Sequence, residues 1–180
     1  IRNYGGVFSR HVFERMKVRD ILRFEGPYGS FFLREESSKP VILLASGTGF
    51  APIKAIAEHM FHVGIARSRQ VRLYWGGRRR ADLYLDALPR QWSAEQPGFA
   101  YVPVLSEPSV EDAWTGRNDL VHRAVMADYP DLSGYQVYAC GNPLMVEAAR
   151  RDFTGRCGLP EEEFFSDAFT PASAPAPAAG

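Results

Sequence analysis

Two short glycine turns carry the strongest chemical signal in this sequence. Ser46-Gly47-Thr48-Gly49-Phe50-Ala51-Pro52 follows the apolar run Val41 to Ala45, and Cys140-Gly141-Asn142-Pro143 follows Val137-Tyr138-Ala139. In the first, paired glycines permit a tight turn and let an anion such as a pyrophosphate approach the backbone. The helix that opens directly after it adds exposed amides and the positive end of its dipole. Pro52 fits that first turn, where its missing N–H is not needed. The third glycine of Gly-x-Gly-x-x-Gly is absent, and no Gly-Lys-Ser/Thr ending points to a P-loop. A glycine-rich strand-to-helix turn also serves simply as a turn. Two such turns facing one crevice favour a ligand site over that plainer role.

A third strand-like stretch ends in Trp75-Gly76-Gly77 and runs into Arg78-Arg79-Arg80. No acidic residue stands at the tip to accept a ribose 2′-hydroxyl. Arginines there suit a 2′-phosphate or the pyrophosphate itself, and a solvated basic loop is the competing account. Asp82 is placed to cap the helix that follows. Of the two cysteines, Cys140 sits at a strand end, where packing and function are equally good reasons for it.

These residues need a scaffold, and the surrounding pattern supplies one. From Lys39 onward, strands alternate with helices: strands over 41–45, 71–75, 99–105 and 137–140, with Phe164-Phe165 as a last short one, and helices over 52–63, 83–92, 119–127 and 143–153. The alternation predicts an α/β fold, a doubly wound, Rossmann-like five-stranded parallel sheet over about 39–170. The wholly apolar Val41–Ala45 belongs in its middle. Residues 1–38 differ in texture. A short helical pattern opens at Gly5, and strand-like pieces at 21–25 and 30–33 flank the turn Gly26-Pro27-Tyr28-Gly29, like the last part of a small β-barrel. Residues 171–180, rich in Pro and Ala, read as a disordered tail.

Composition bounds the partners. Across 180 residues, 21 Lys+Arg balance 21 Asp+Glu, which gives no electrostatic reason to invoke nucleic acid or an anionic membrane. No apolar run approaches the roughly 20 residues of a membrane span. Two cysteines are too few for a disulfide framework or for the about four ligands of an iron–sulfur cluster. They read as reduced thiols of a cytoplasmic protein. His11, His59, His62 and His122 form no pair at ligand spacing, so no metal site is expected. The opening at Ile1, without Met, is read as that of a fragment or a processed product.

The ordered set Gly5-Gly6-Val7-Phe8-Ser9, Gly26-Pro27-Tyr28-Gly29-Ser30-Phe31, Gly47-Thr48-Gly49-Phe50-Ala51-Pro52, Cys140-Gly141-Asn142-Pro143 and Phe164-Phe165-Ser166-Asp167-Ala168-Phe169 resembles the ferredoxin–NADP reductase family. Tyr74-Trp75-Gly76, Asp82-Leu83-Tyr84 and Val102-Pro103-Val104-Leu105-Ser106 narrow the likeness to the reductase components of bacterial oxygenases and the CDP-6-deoxy-glucoseen reductase group. The resemblance implies a remnant of an FAD-binding barrel over 1–38 and an NAD(P)-binding domain over 39–170. It implies that Gly6, Val7, Phe8 and Ser9 contact the flavin pyrophosphate, and that Gly47, Thr48, Gly49 and Pro52 hold the dinucleotide. Arg78, Arg79, Gly141, Asn142 and Pro143 complete the cofactor-binding set. Cys140 would lie beside the nicotinamide C4 and Phe169 against the isoalloxazine ring, as the catalytic pair facing one pocket. The family's Arg-x-Tyr-Ser flavin motif belongs upstream of Gly5, outside this sequence, and a [2Fe–2S] cluster is expected in a further domain or a partner.

The implied activity is hydride transfer from NAD(P)H to FAD and release of electrons to an iron–sulfur acceptor. A flavin-free dehydrogenase and a non-catalytic nucleotide-binding module are the alternatives. Because the phosphates need the backbone within hydrogen-bonding distance, Gly49→Val should abolish NAD(P)H binding and leave the fold near intact.

Overall fold

The computed structural model describes residues 1, 3 and 5–169; the tail expected over 171–180 lies outside them. Two compact units emerge, Ile1–Phe31 and the chain from Phe32 onward.

In the first unit, α1 (Val7–Arg10) runs on into a π-helical turn, His11–Arg15. The carbonyl of Gly6 accepts from Arg10 N at 2.9 Å and from Ser9 Oγ at 3.1 Å. The strands expected at 21–25 and 30–33 do not form among the described residues. Residues 21–25 join no ladder among the described residues, and isolated extended chain stays open to water. Ile21 and Phe24 are accordingly 97% and 82% exposed.

The second unit runs β1 (Val41–Ser46), α2 (Phe50–His62), β2 (Val71–Gly77), α3 (Ala87–Glu95), β3 (Phe99–Leu105), β4 (Arg117–Asn118), α4 (Val121–Asp128), β5 (Gln136–Gly141), α5 (Pro143–Arg156) and β6 (Phe164–Ala168). The strands form one parallel sheet in the order β4-β3-β2-β1-β5-β6. β1 is central, as its two-sided apolar character requires, and Val41 to Ala45 are fully buried. The sheet has six strands, not five, because Arg117–Asn118 pairs with Val104–Leu105 at the edge. Two polar residues carry no apolar period that could announce a strand.

Strand alternation divides the core. Ile42, Leu44, Tyr74, Val137, Ala139 and Phe164 pack with Val121, Val125, Val146 and Phe153 of α4 and α5. Leu43, Leu73 and Trp75 occupy the alternate positions, and Phe50 of α2 stacks on Trp75 there. α3 begins four residues later than the sequence pattern indicates, since Arg80–Asp82 forms a separate 3-10 turn. Of the histidines, His59 pairs with Glu35 at 2.8 Å. His122 of α4 is buried 3.5 Å from Asp152 of α5, and burial pushes its pKa down.

At the amino end of the sheet, the buried Arg69 gathers the entering chain. Its Nε donates to the Lys39 carbonyl at 2.7 Å, Nη1 to the Arg34 carbonyl at 3.1 Å, and Nη2 to Gln136 Oε1 at 2.8 Å. Gln136 Nε2 donates to Glu163, which also pairs with Lys39 at 2.6 Å. One guanidinium thus ties residues 34–39 to β5. Replacing Arg69 by Leu strands three acceptors at once, and hydrogen bonds to a charged donor are worth about 1.5–3 kcal/mol each, partly recovered by relaxation. Urea unfolding of Arg69→Leu should show a loss of about 3 kcal/mol; a loss below about 1 kcal/mol would contradict the assigned role.

Candidate functional site

The two glycine turns meet at the carboxyl end of the sheet because β1 and β5 are neighbours, with Ala45 opposite Cys140. β1 ends at Ser46, a 3-10 turn covers Gly47–Gly49, and α2 starts at Phe50. Gly47 adopts φ +52°, a conformation that glycine takes without strain. No side chain caps the start of α2. The Phe50 amide turns back to the Gly47 carbonyl, and the helix dipole meets no side-chain acceptor, as an anion site requires. α5 differs: Asn142 Oδ1 accepts from Leu144 N at 2.9 Å and Pro143 takes the first helical position. Asn142 therefore caps its own helix, and of the two glycine turns only the one before α2 has no side-chain cap.

The turns interlock. A Cβ on Gly49 would strike the carbonyl group of Cys140 and lie 2.6 Å from Gly141 Cα. Gly141, at φ +136°, has no room for one either, because Ser46 fills the space. Ser46 Oγ accepts from Asn142 N at 3.0 Å and completes the join. The expectation that Gly49→Val spares the fold is thereby corrected. The missing Cβ at Gly49 makes room for the neighbouring strand end, not only for a ligand. Gly49→Ala should already lower the melting temperature by well over 10 °C, since overpacking against backbone costs more than the usual 1–3 kcal/mol. A near-native melt would show that β5 can retreat.

Phe169 reaches the same corner. Its N–H donates to the Gly141 carbonyl at 2.9 Å, which extends the β5–β6 ladder by one step. Cys140 faces Asp167 in register, and alternation puts Phe169 on the same sheet face as both. Phe169 is 41% exposed and stands clear of the core. Cys140 is fully buried, and burial, helped by the Asp167 carboxylate, pushes its thiol up to about 12. The sulfur is therefore a protonated, polarisable neighbour and no nucleophile. Cys157 is likewise a buried free thiol, raised by burial. At pH 8 roughly one Cys140 in ten thousand is thiolate, so iodoacetamide followed by peptide mapping should find Cys140 unmodified in the folded chain. Labelling at the rate of an unfolded thiol would contradict this.

The arginine loop follows β2. Asp82 Oδ2 accepts from the amides of Arg78 and Arg79 at 2.9 and 3.1 Å, and Asp112 Oδ1 from the amide of Arg80 at 3.1 Å. Asp82 does not cap α3, as the sequence pattern had indicated; it folds the loop. The carboxylate nearest the strand tip is engaged there, while the Arg78 and Arg79 side chains are exposed. Gly6, Val7, Phe8 and Ser9 lie in the other unit, at an α1 start that also lacks a side-chain cap. Sequence reasoning missed two side chains that touch the turns, Ser46 and Trp75, whose indole N–H donates to the Gly47 carbonyl. Ser46 adjoins the glycines, and Trp75 had weight only as part of Tyr74-Trp75-Gly76. Among the described residues, no cluster of His, Cys, Asp and Glu could hold a metal ion, and no helix is long and apolar enough to cross a membrane.

Residues 43–151 match the oxidoreductase NAD-binding domain family. The chain is 45% identical to the CDP-6-deoxy-L-threo-D-glycero-4-hexulose-3-dehydrase reductase of Yersinia pestis, over 93% of its own length and 49% of that protein's. It is 36% identical to the xylene/toluene monooxygenase electron transfer component of Pseudomonas putida, over 92% and 46% of the two chains. Among solved structures, an Amycolatopsis cytochrome P450 reductase aligns with a TM-score of 0.73 at 36% identity, covering 82% of this chain and 44% of that one. The chain spans about half the length of these relatives. With this fold and these turns, it belongs to the oxidoreductase NAD-binding domain family, of the ferredoxin–NADP reductase type.

Proposed function

We propose that the chain is the coenzyme-binding part of a flavin-dependent NAD(P)H reductase that feeds electrons to an iron–sulfur protein or domain. The observation that carries this reading is the interlocked pair of glycine turns beside a helix start with no side-chain cap. The relatives named as a dehydrase reductase and as a monooxygenase electron transfer component support the acceptor class. Residues 39–170 would form the coenzyme domain and 1–38 the end of the flavin barrel. Two buried, free thiols suit a cytoplasmic setting.

In this reading NAD(P)H supplies a hydride and FAD accepts it, and the protein's part is orientation and exclusion of water. The amides of Gly47, Thr48 and Gly49, with Pro52 closing the turn, hold the coenzyme pyrophosphate. Gly141, Asn142 and Pro143 wall the crevice opposite. Cys140 would border the nicotinamide with an uncharged sulfur, and Phe169, exposed at the same end of the sheet, would shield the flavin ring. Gly6 to Ser9 offer their amides to the flavin pyrophosphate. Exposed after β2, Arg78 and Arg79 would be free to pair with a 2′-phosphate, and the engaged Asp82 withholds the acidic partner that a 2′-hydroxyl prefers.

Anaerobic mixing of the flavin-loaded reductase with NAD(P)H should bleach the flavin absorption within a turnover. Absence of bleaching with both coenzymes removes this reading. NADPH should reach a kcat/KM no worse than one tenth of that for NADH. The double variant R78Q/R79Q should lose about tenfold, or 1.4 kcal/mol, with NADPH alone. Equal losses with both coenzymes would assign the arginines to the pyrophosphate.

A further inference from the structure

Trp75 differs from the other aromatic residues on the α2 face, because it makes a polar contact with the glycine turn as well as stacking. Its indole Nε1–H donates to the Gly47 carbonyl at 3.2 Å. Its ring lies on Phe50 with centroids 3.9 Å apart and planes 10° from parallel, and Tyr84 meets both rings edge-on. Trp75 is fully buried, so packing fixes the direction of its N–H. The same carbonyl accepts from the Phe50 amide. Both of its lone pairs are thus in use.

The orientation matters for the next amide. The Gly47–Thr48 peptide is trans, since the one cis bond among the described residues is Gly26–Pro27. A planar trans unit carries its N–H on the edge opposite its C=O. With the carbonyl drawn towards Trp75, the Thr48 N–H aims away from the packed face. Gly47 has no Cβ to resist a turn of the peptide plane. A flipped plane would present a carbonyl where an anion needs a donor, and it would break both hydrogen bonds to that oxygen.

We propose that Trp75 is a positioning residue for the coenzyme, locking the Gly47–Thr48 peptide in the orientation that offers an N–H to the pyrophosphate. The proposal rests on reading this turn as the NAD(P)H phosphate site. It assigns affinity to an indole on the adjacent strand that does not touch the ligand.

Three variants of the full chain test it, with NADH and NADPH affinity read by calorimetry and stability by thermal melt. Trp75→Phe keeps a ring against Phe50 and removes the donor. Leu73→Ala, two residues earlier on the same buried face, removes packing without reaching the turn. If Trp75→Phe does not fold, benzothienylalanine placed at position 75 keeps the indole shape and replaces N–H by sulfur. The donor-free variants should bind coenzyme about tenfold more weakly, whereas Leu73→Ala should melt at least as early as Trp75→Phe yet bind within twofold of the native chain. Binding within twofold in the donor-free variants, or an equal loss in Leu73→Ala, overturns the proposal. A native chain that binds neither coenzyme overturns the underlying reading, and this one with it.

Discussion

The approach of β1's turn to β5's turn, backbone against backbone, is the constraint on which the carboxyl end of this sheet depends. Gly49 has the carbonyl of Cys140 where a side chain would begin, and Gly141 has Ser46 in the same position. Strands in a sheet lie about 4.8 Å apart, and turns leaving adjacent strands in step must share that narrow space. Glycine on both sides resolves the conflict, and the Ser46–Asn142 hydrogen bond then fixes the spacing. The join lies where α2 starts, where Gly141 ends its strand, and where the Phe169 amide finds the Gly141 carbonyl.

The two ends of the sheet use opposite chemistry. The carboxyl end is assembled from missing side chains, with two glycine turns packed backbone to backbone. The amino end is assembled from long ones, with Arg69, Gln136, Glu163 and Lys39 in a chain of charge-assisted hydrogen bonds. A buried guanidinium needs that full set of acceptors to be tolerated. Between them lies an ordinary apolar core.

The central features were legible in the sequence because each rests on local patterning. Val41 to Ala45 reads as a two-faced strand, and the glycine–helix junctions after residues 45 and 140 read as ligand turns. What the sequence concealed depends on partners distant in the chain. Asp82 reads as a helix cap until the amides of Arg78 and Arg79 are seen to converge on it. Gly49 reads as a ligand glycine until Cys140 is found against it. Arg69 carries no local signal, since Lys39 and Gln136 lie far from it along the chain. Residues 21–25 show the reverse case, in which local strand character joins no ladder among the described residues.

The span of the Ser46–Asn142 contact has a consequence for how the molecule is made. The two residues stand 96 apart in sequence, so the turn after β1 leaves a ribosome long before the strand that shapes it. Contacts of such range form late, because the loop they close must first be ordered. During synthesis the early β–α units can pair and bury Leu43, Leu73 and Trp75, while Gly47 to Gly49 remain without their wall. On the proposed reading, the turn gains its wall only when β5 docks. The nucleotide would then meet a finished site.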